Sequence, residues 1–169
     1  MMRLLALAAA LALGGCGLHP LYQSGGRGAV GRMLGTVEIA PIAGQSGWLM
    51  KNALDDRLAA GGRGETRYRL EVELDDQIAG IGVRTDNTVT RERRTLRARY
   101  RLVDVSDGTV VLDAAAGSDA GIDVGASEYA VIAAEQTALE NLTAQVADQI
   151  VSRVALYAVH GGKPAATHP

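Results

Sequence analysis

Strict alternation between apolar and polar side chains runs along two stretches of the chain and predicts two half-buried β-strands. In residues 67–79 the apolar side chains share one face: Tyr68, Leu70, Val72, Leu74 and Ile78. In residues 91–103 the corresponding side chains are Leu96, Ala98, Tyr100 and Leu102. The other face of both strands is charged, so we expect an antiparallel sheet with one face in water.

Two shorter elements are predicted before these strands. Residues 34–42 are rich in β-branched side chains, which favours a first strand, and Pro41 is expected to close it. Residues 46–60 predict a helix that Ser46 caps and that Gly61 and Gly62 end. The apolar face of this helix repeats every four residues: Met50, Leu54 and Leu58.

The C-terminal part of the chain is predicted to form a fourth strand and a long helix. The pair Asp107-Gly108 indicates a hairpin turn, after which the apolar residues continue as a strand: Val110, Leu112 and Ala114. A helix capped by Ser127 is expected to reach about Tyr157, with this apolar stripe: Ile132, Leu139, Leu142, Val146, Ile150 and Val154. The predicted fold class is therefore α+β, a two-layer sandwich with both helices on one face of a four-stranded, mostly antiparallel sheet in the order β-α-β-β-β-α.

The register between the second and third strands follows from a turn at Asp86-Asn87. The inward pattern shifts from even positions, which end at Ile78, to the odd positions Ile81 and Val83, which predicts a bulge near Gly80. Beyond that bulge, the two residue numbers of each cross-strand pair add up to 172. The charged pairs expected on the wet face are Asp75 with Arg97, Glu73 with Arg99 and Glu71 with Arg101. A bulge on the other strand would shift the partners by two and still leave acids facing arginines.

Positive charge is concentrated in one segment of a chain whose net charge is only −2. Residues 84–101 contain seven arginines and two acids, whereas residues 104–148 contain nine acids and neither lysine nor arginine. The ladder of Arg97, Arg99 and Arg101 against the facing acids has a simple structural interpretation, as cross-strand ion pairs.

The arginines near the predicted hairpin tip have fewer acids close by in the sequence. Only Asp86 and Glu92 lie among Arg84, Arg91, Arg93 and Arg94. Uncompensated guanidinium groups bind phosphate or carboxylate oxygens in a bidentate way, so an anion-binding role stands beside simple solvation. Because Arg94 has the inward parity of Leu96, we expect its side chain to escape to solvent at the end of the sheet or to pair with Glu92.

The chain begins like an exported lipoprotein. Arg3 precedes about ten apolar residues, which is typical of a secretory signal and too short to span a bilayer. The signal ends Leu-Gly-Gly-Cys, so Cys16, the only cysteine, is predicted to be acylated after residues 1–15 are removed. Residues 16–33 are interpreted as a lipidated tether, 34–158 as one domain and 159–169 as a disordered tail.

Several kinds of chemistry find little support in the sequence. Residues 26–31 spell GxGxxG but follow no predicted strand, so nucleotide binding is not expected. The three histidines, His19, His160 and His168, lie in the tether or the tail, and no catalytic or metal motif stands out. We therefore predict no enzyme activity, no cofactor, no metal and no nucleic-acid partner.

Three stretches, taken together, resemble the alphaproteobacterial type of the LptE family. The first, residues 16–22, reads CGLHPLY and is similar to that family's CGFxPLYG start. The second, residues 37–58, joins a strand, Gly44-Gln45 and a helix similar to the family's LRNAL..RL motif. The third combines Tyr68-Arg69-Leu70, Thr90-Arg91 and the alanine-rich last helix around Ala133-Ala134-Glu135. The chain departs from the family pattern at Leu18-His19, where Phe is common, and at Gly47-Trp48.

The resemblance implies two helices on a four-stranded sheet, in agreement with the order predicted from the residues. It also implies an outer-membrane lipoprotein, anchored through acylated Cys16 and facing the periplasm, that plugs the LptD β-barrel as a heterodimer. Family members aid assembly of that barrel and engage lipopolysaccharide, for which Arg91, Arg93 and Arg94 are our candidate contacts. Two alternatives remain: an auxiliary lipoprotein of a lipid-transport ABC system, and a periplasmic enzyme.

Overall fold

A computed structural model describes residues 28–59, 62–83, 89–124 and 127–160. Within these ranges, three helices and four strands follow one another in the order α-β-α-β-β-β-α. The helices are α1 (Ala29–Leu34), α2 (Gly44–Leu58) and α3 (Glu128–Val159). The strands are β1 (Val37–Ile39), β2 (Tyr68–Val83), β3 (Val89–Asp104) and β4 (Val110–Asp123). The α+β fold class is confirmed, with one helix more than predicted.

The four strands form one mixed sheet in the order β1-β2-β3-β4. Strand β1 is parallel to β2 because α2 returns the chain between them, and the other neighbours are antiparallel. The predicted register is confirmed, since Leu70 lies opposite Leu102 and Asp75 lies opposite Arg97. The register shifts between Gly80 and Gly82, where the bulge was predicted. The turn at Asp86-Asn87 lies outside the described residues.

The core lies between the inner face of the sheet and helices α2 and α3. The predicted apolar positions Leu70, Leu96, Tyr100 and Leu102 are all at most 2% exposed. Helix α2 buries its predicted stripe: Met50, Leu54 and Leu58. Helix α3 buries most of its own: Leu139, Leu142, Val146, Ile150 and Val154. Near the C-terminal end of α3, Tyr157 packs edge-on against Tyr68 with ring centroids 6.3 Å apart.

Several helices and strands begin or end at other residues than predicted. Ser46 lies inside α2, so its predicted role as the cap is wrong. The helix begins at Gly44, whose φ of +81° is readily adopted only by glycine. The first strand is shorter than residues 34–42 because Leu34 belongs to α1 and only three residues pair with β2.

Two further differences concern the ends of the domain. The folded part begins before residue 34, because α1 covers the last part of the predicted tether and packs Val30, Met33 and Leu34 against the core. Helix α3 begins after Ser127, as predicted, although the Ser127 side chain makes no capping hydrogen bond. None of the helices in the described ranges is long and apolar enough to cross a membrane.

Candidate functional site

The sheet face that carries no helix holds a row of arginines between two rows of acids. Strand β3 contributes Arg91, Arg93, Arg97, Arg99 and Arg101, because side chains two residues apart point to the same face. On one side β2 presents its acids: Glu71, Glu73 and Asp75. On the other side β4 presents a second set: Asp113, Asp119 and Asp123. We call this surface the charged face.

Only one of the three predicted ladder pairs forms as a close ion pair. Arg101 donates to Glu71 at 3.2 Å. Arg99 lies opposite Glu73 but turns to the other side, where it donates to both carboxylate oxygens of Asp113 at 3.4 and 3.1 Å. That hydrogen bond is the main cause of a raised pKa for the Arg99 guanidinium. The β2 acids therefore neutralise the arginine row less than the register alone suggests.

Arg91 and Arg93 pair with acids of the edge strand. Arg91 donates to Asp123 at 3.0 Å, and Arg93 lies 3.6 Å from Asp119. The prediction that tip arginines lack acids was wrong for these two, because it considered only acids close in sequence. The signal was present in β4, where Asp113, Asp119 and Asp123 share one parity. Both arginine side chains remain more than half exposed.

Arg94 does not belong to the charged face. Its side chain lies between the sheet and α3, is 12% exposed, and donates to both oxygens of Asp76 at 2.8 and 2.6 Å. A third hydrogen bond, of 2.8 Å, reaches the Glu135 carbonyl of α3. The hydrogen bond to Asp76 is the main cause of a raised pKa for Arg94. The expected escape to solvent or pairing with Glu92 is wrong, because Asp76 on β2 supplies the partner.

Arg97 occupies the centre of the charged face. Among the described residues it has no carboxylate within 4 Å, although Asp75 lies opposite it in register. Its other neighbour is Gly117, where a Cβ would come within 3.4 Å of the Arg97 side chain. Asp75 instead accepts hydrogen bonds from Gln77 at 3.0 and 3.2 Å. Arg97 is therefore the arginine of this row best placed to meet an external anion.

The remaining candidate chemistry is limited. Cys16 and Arg84 lie outside the described residues. Within the described ranges no group of three or more His, Cys, Asp or Glu side chains is arranged to hold a metal ion. What the charged face can do is form charge-assisted hydrogen bonds with phosphate or carboxylate groups, and exchange its own ion pairs for those of a partner.

Comparison with known proteins places this geometry in a family. The model of the LptE family, described as lipopolysaccharide-assembly, matches residues 34–154. That range contains β1 to β4, α2 and most of α3, and so includes the entire charged face. No curated protein sequence matches this chain.

Solved structures share the fold. A protein from Caulobacter crescentus CB15, described as a lipoprotein, aligns with a TM-score of 0.65 and 30% identity over 82% of this chain and 100% of its own. Rare lipoprotein B from Shewanella oneidensis aligns with a TM-score of 0.59 and 9% identity, covering 73% and 98%. A minor lipoprotein from Acinetobacter baumannii aligns with a TM-score of 0.59 and 13% identity, over 72% of this chain and 91% of its own. The last two likenesses concern the fold alone.

Proposed function

The chain belongs to the LptE lipopolysaccharide-assembly family, and from this premise we propose that it is the plug and scaffold of an outer-membrane LptD barrel. In this role it aids assembly of the barrel and engages lipopolysaccharide on its way to the outer leaflet. The observation that carries the proposal is the family match over residues 34–154, which spans nearly the whole sandwich. No catalytic step is assigned to it.

The charged face supports residence in a barrel lumen. The inner walls of outer-membrane barrels are polar and charged. A sheet face on which four of the five arginines are already paired, with Asp113, Asp119, Asp123 and Glu71, can enter such a lumen without bringing a large net charge. Exposed pairs of this kind are each worth less than about 1 kcal/mol, so they exchange readily for contacts with a partner.

Copurification tests the barrel partnership. The chain would be tagged at its C-terminus and extracted with mild detergent from its native host. We expect a large outer-membrane barrel to be retained at a 1:1 ratio. A chain that is recovered as a monomer, with no barrel of this kind, would contradict the proposal.

Glycolipid contact is proposed for three arginines of the charged face. Arg91 and Arg93 keep this predicted role, Arg97 joins them, and Arg94 is now assigned to holding the sandwich together. In low salt, where screening is weak, replacing Arg91, Arg93 and Arg97 with Ala should weaken lipopolysaccharide binding about tenfold or more, since charge-assisted hydrogen bonds contribute about 1.5–3 kcal/mol each. Arg63→Ala, in the loop after α2 and 3.9 Å from Asp55, is the control. Unchanged affinity of the triple variant would exclude these residues.

Membrane attachment is proposed through acylated Cys16. Each buried CH₂ of an acyl chain adds about 0.8 kcal/mol of membrane affinity, so two or more chains hold the protein stably. Gly17 follows the cysteine where Asp would favour inner-membrane retention in enteric bacteria, so we propose the outer membrane, with the domain facing the periplasm. Mass spectrometry of the native protein should find an acylated Cys16 at the N-terminus. An unmodified thiol there would rule out this anchor.

A further inference from the structure

One edge of the sheet is closed by a side chain at a single point. Gly117 of β4 donates its N–H to Oε1 of Gln149 at 3.3 Å and accepts from Nε2 of the same amide at 3.2 Å. These are the two hydrogen bonds that a neighbouring strand would form. Because β4 is the last strand of the sheet, the Gln149 carboxamide takes the place of a fifth strand at Gly117.

Beyond Gly117 the same edge is open. In an antiparallel pair, residues alternate between those bonded to the partner strand and those whose N–H and C=O point away. Since both groups of Gly117 point away from β3, so do those of Asp119, Gly121 and Asp123, because the register has no shift in this part of β4. Among the described residues, no backbone partner faces these three peptide groups.

A groove runs beside this open edge on the helix side of the sheet. Its volume is about 710 Å³, and it lies between residues 120–123 of β4 and the flank of α3. The side chains that line it are mostly short: Ala120, Ala133, Ala134, Thr137, Ala138 and Ala144. An added strand would therefore place one set of side chains in the groove beside Ala120, and the alternate set on the charged face beside Asp119 and Asp123.

Charge indicates what kind of strand fits. Among the described residues that line the groove, the charged ones are two acids, Asp123 and Asp148, and none is a lysine or arginine, although Arg57 of α2 donates to Asp148 at 2.6 Å. Asp119 and Asp123 pair with Arg93 and Arg91, yet their carboxylates stay 60% and 82% exposed and have lone pairs free for a second donor. A second copy of this β4 would bring further acids to the same place, so it is the less suitable occupant.

We propose that residues 119–123 of β4 and the adjacent flank of α3 form a strand-accepting site. The occupant is an extended segment of a partner protein that alternates small apolar residues with lysine or arginine. The apolar side chains enter the groove, and the basic ones lie beside Asp119 and Asp123. Gln149 sets the limit of the site, because pairing cannot continue past Gly117. The groove lies on the opposite side of the sheet from the arginine row, so its occupancy is separate from glycolipid binding.

A labelled synthetic peptide tests the site. The probe is a seven-residue peptide that alternates Lys with Val or Ala, and binding to the full chain in mild detergent is followed by fluorescence anisotropy. We expect saturable binding that weakens at least tenfold when Glu replaces Lys. Backbone N-methylation at the residues that pair with β4 should abolish binding, whereas methylation at the alternate residues should not. Equal binding of the Lys and Glu peptides, or no effect of methylation, would overturn the proposal.

Two variants of the chain locate the binding. Thr137→Trp fills the groove and should reduce affinity at least tenfold, whereas Ser152→Trp, also exposed on α3 but outside the groove, should not. Gln149→Ala should tighten binding of an eleven-residue version of the peptide several-fold, because the edge is then open past Gly117. Unchanged affinity in Thr137→Trp would overturn the site. If the chain self-associates and Thr137→Trp abolishes that self-association, the occupant is a second copy of the chain, and our choice of a partner segment is wrong.

Discussion

The two ends of the sandwich follow the same alternating pattern and are held together differently. At the base end, where β2 begins and α3 ends, inward positions such as Leu70, Tyr100 and Val154 are apolar and fully buried. At the tip end the inward positions include Asp76 and Arg94, which bond to each other and to α3. Alternation thus indicates which way a side chain points, but the helix that covers the sheet decides whether it is buried.

Exposure of apolar side chains shows the same contrast. Ile78, Ile81 and Ile132 are 43%, 48% and 56% exposed, although alternation or helical periodicity placed all three on the inner side. Ile150, on the same helix as Ile132, is completely buried. The base end is therefore the more closely packed of the two, and the tip end is a partly open layer whose inner side contains the mostly buried ion pair of Asp76 and Arg94.

The largest expected effect compares two isoleucines of α3. Ile150→Ala should reduce the free energy of unfolding by about 2–5 kcal/mol, because it removes buried methyl groups and leaves a cavity. Ile132→Ala, the matched control at the exposed end, should change it by no more than about 0.5 kcal/mol. Urea unfolding of both variants measures the difference. Equal losses would mean that the two ends are packed alike.

The next effect concerns the ion pair at the tip. Arg94→Ala should cost about 3 kcal/mol, because it leaves the mostly buried Asp76 carboxylate and the Glu135 carbonyl without their donor. Asp76→Asn on the Arg94→Ala background should recover part of this loss, since the unpaired charge is gone. Thermal unfolding of the single and double variants is the check. A double variant less stable than Arg94→Ala alone would disprove this explanation.

The pair that joins the two long helices is expected to contribute less and to depend on pH. Arg57 donates to Asp148 at 2.6 Å, and this hydrogen bond is the main reason why the pKa of Asp148 is lowered. Its stabilisation is therefore present above the unfolded-state pKa of about 3.9 and is lost as the pH falls through the lower folded-state pKa. Because Asp148 is largely exposed, Asp148→Asn should cost at most about 1 kcal/mol at pH 7. The same cost at pH 2 would contradict this assignment.

The smallest effect is expected on the charged face. Arg101→Ala removes an exposed pair with Glu71 and should change the free energy of unfolding by less than about 1 kcal/mol at low salt and less again in 1 M salt. Chemical denaturation at both salt concentrations measures it. A loss as large as that of Arg94→Ala would mean that the charged face is structural rather than available to partners.

The sheet was predictable because a period of two specifies both the face and the register of a strand. The turn expected at Asp86-Asn87 and the bulge near Gly80 predicted the observed pairs from Leu70 to Gly80, although a bulge on the other strand would have shifted them by two. Helix α1 was missed because six residues, two of them glycine or alanine at the first turn, are too few to show a helical period.

The charge pairing could not be predicted from one pair of strands. Whether Arg99 turns to Glu73 or to Asp113 depends on which edge of β3 its side chain leans toward. Glu73 of β2 lies directly opposite Arg99, whereas Asp113 of β4 lies opposite Arg101 and is reached diagonally. Arg94 differs from the other arginines of β3 because it lies at an even, inward-facing position. Its partner, Asp76, lies 18 residues away in sequence. The third hydrogen bond of Arg94, to the Glu135 carbonyl, could be predicted only from the position of α3 on the sheet.

Lipopolysaccharide at the cell surface provides the most direct test of the central claim, a role in lipopolysaccharide assembly. The protein would be depleted in its native host, and surface lipopolysaccharide would be quantified by labelling of intact cells. We predict a fall in surface lipopolysaccharide as the protein disappears, with recovery when the wild-type chain is restored. Surface lipopolysaccharide that stays at its normal level after complete depletion would contradict the account.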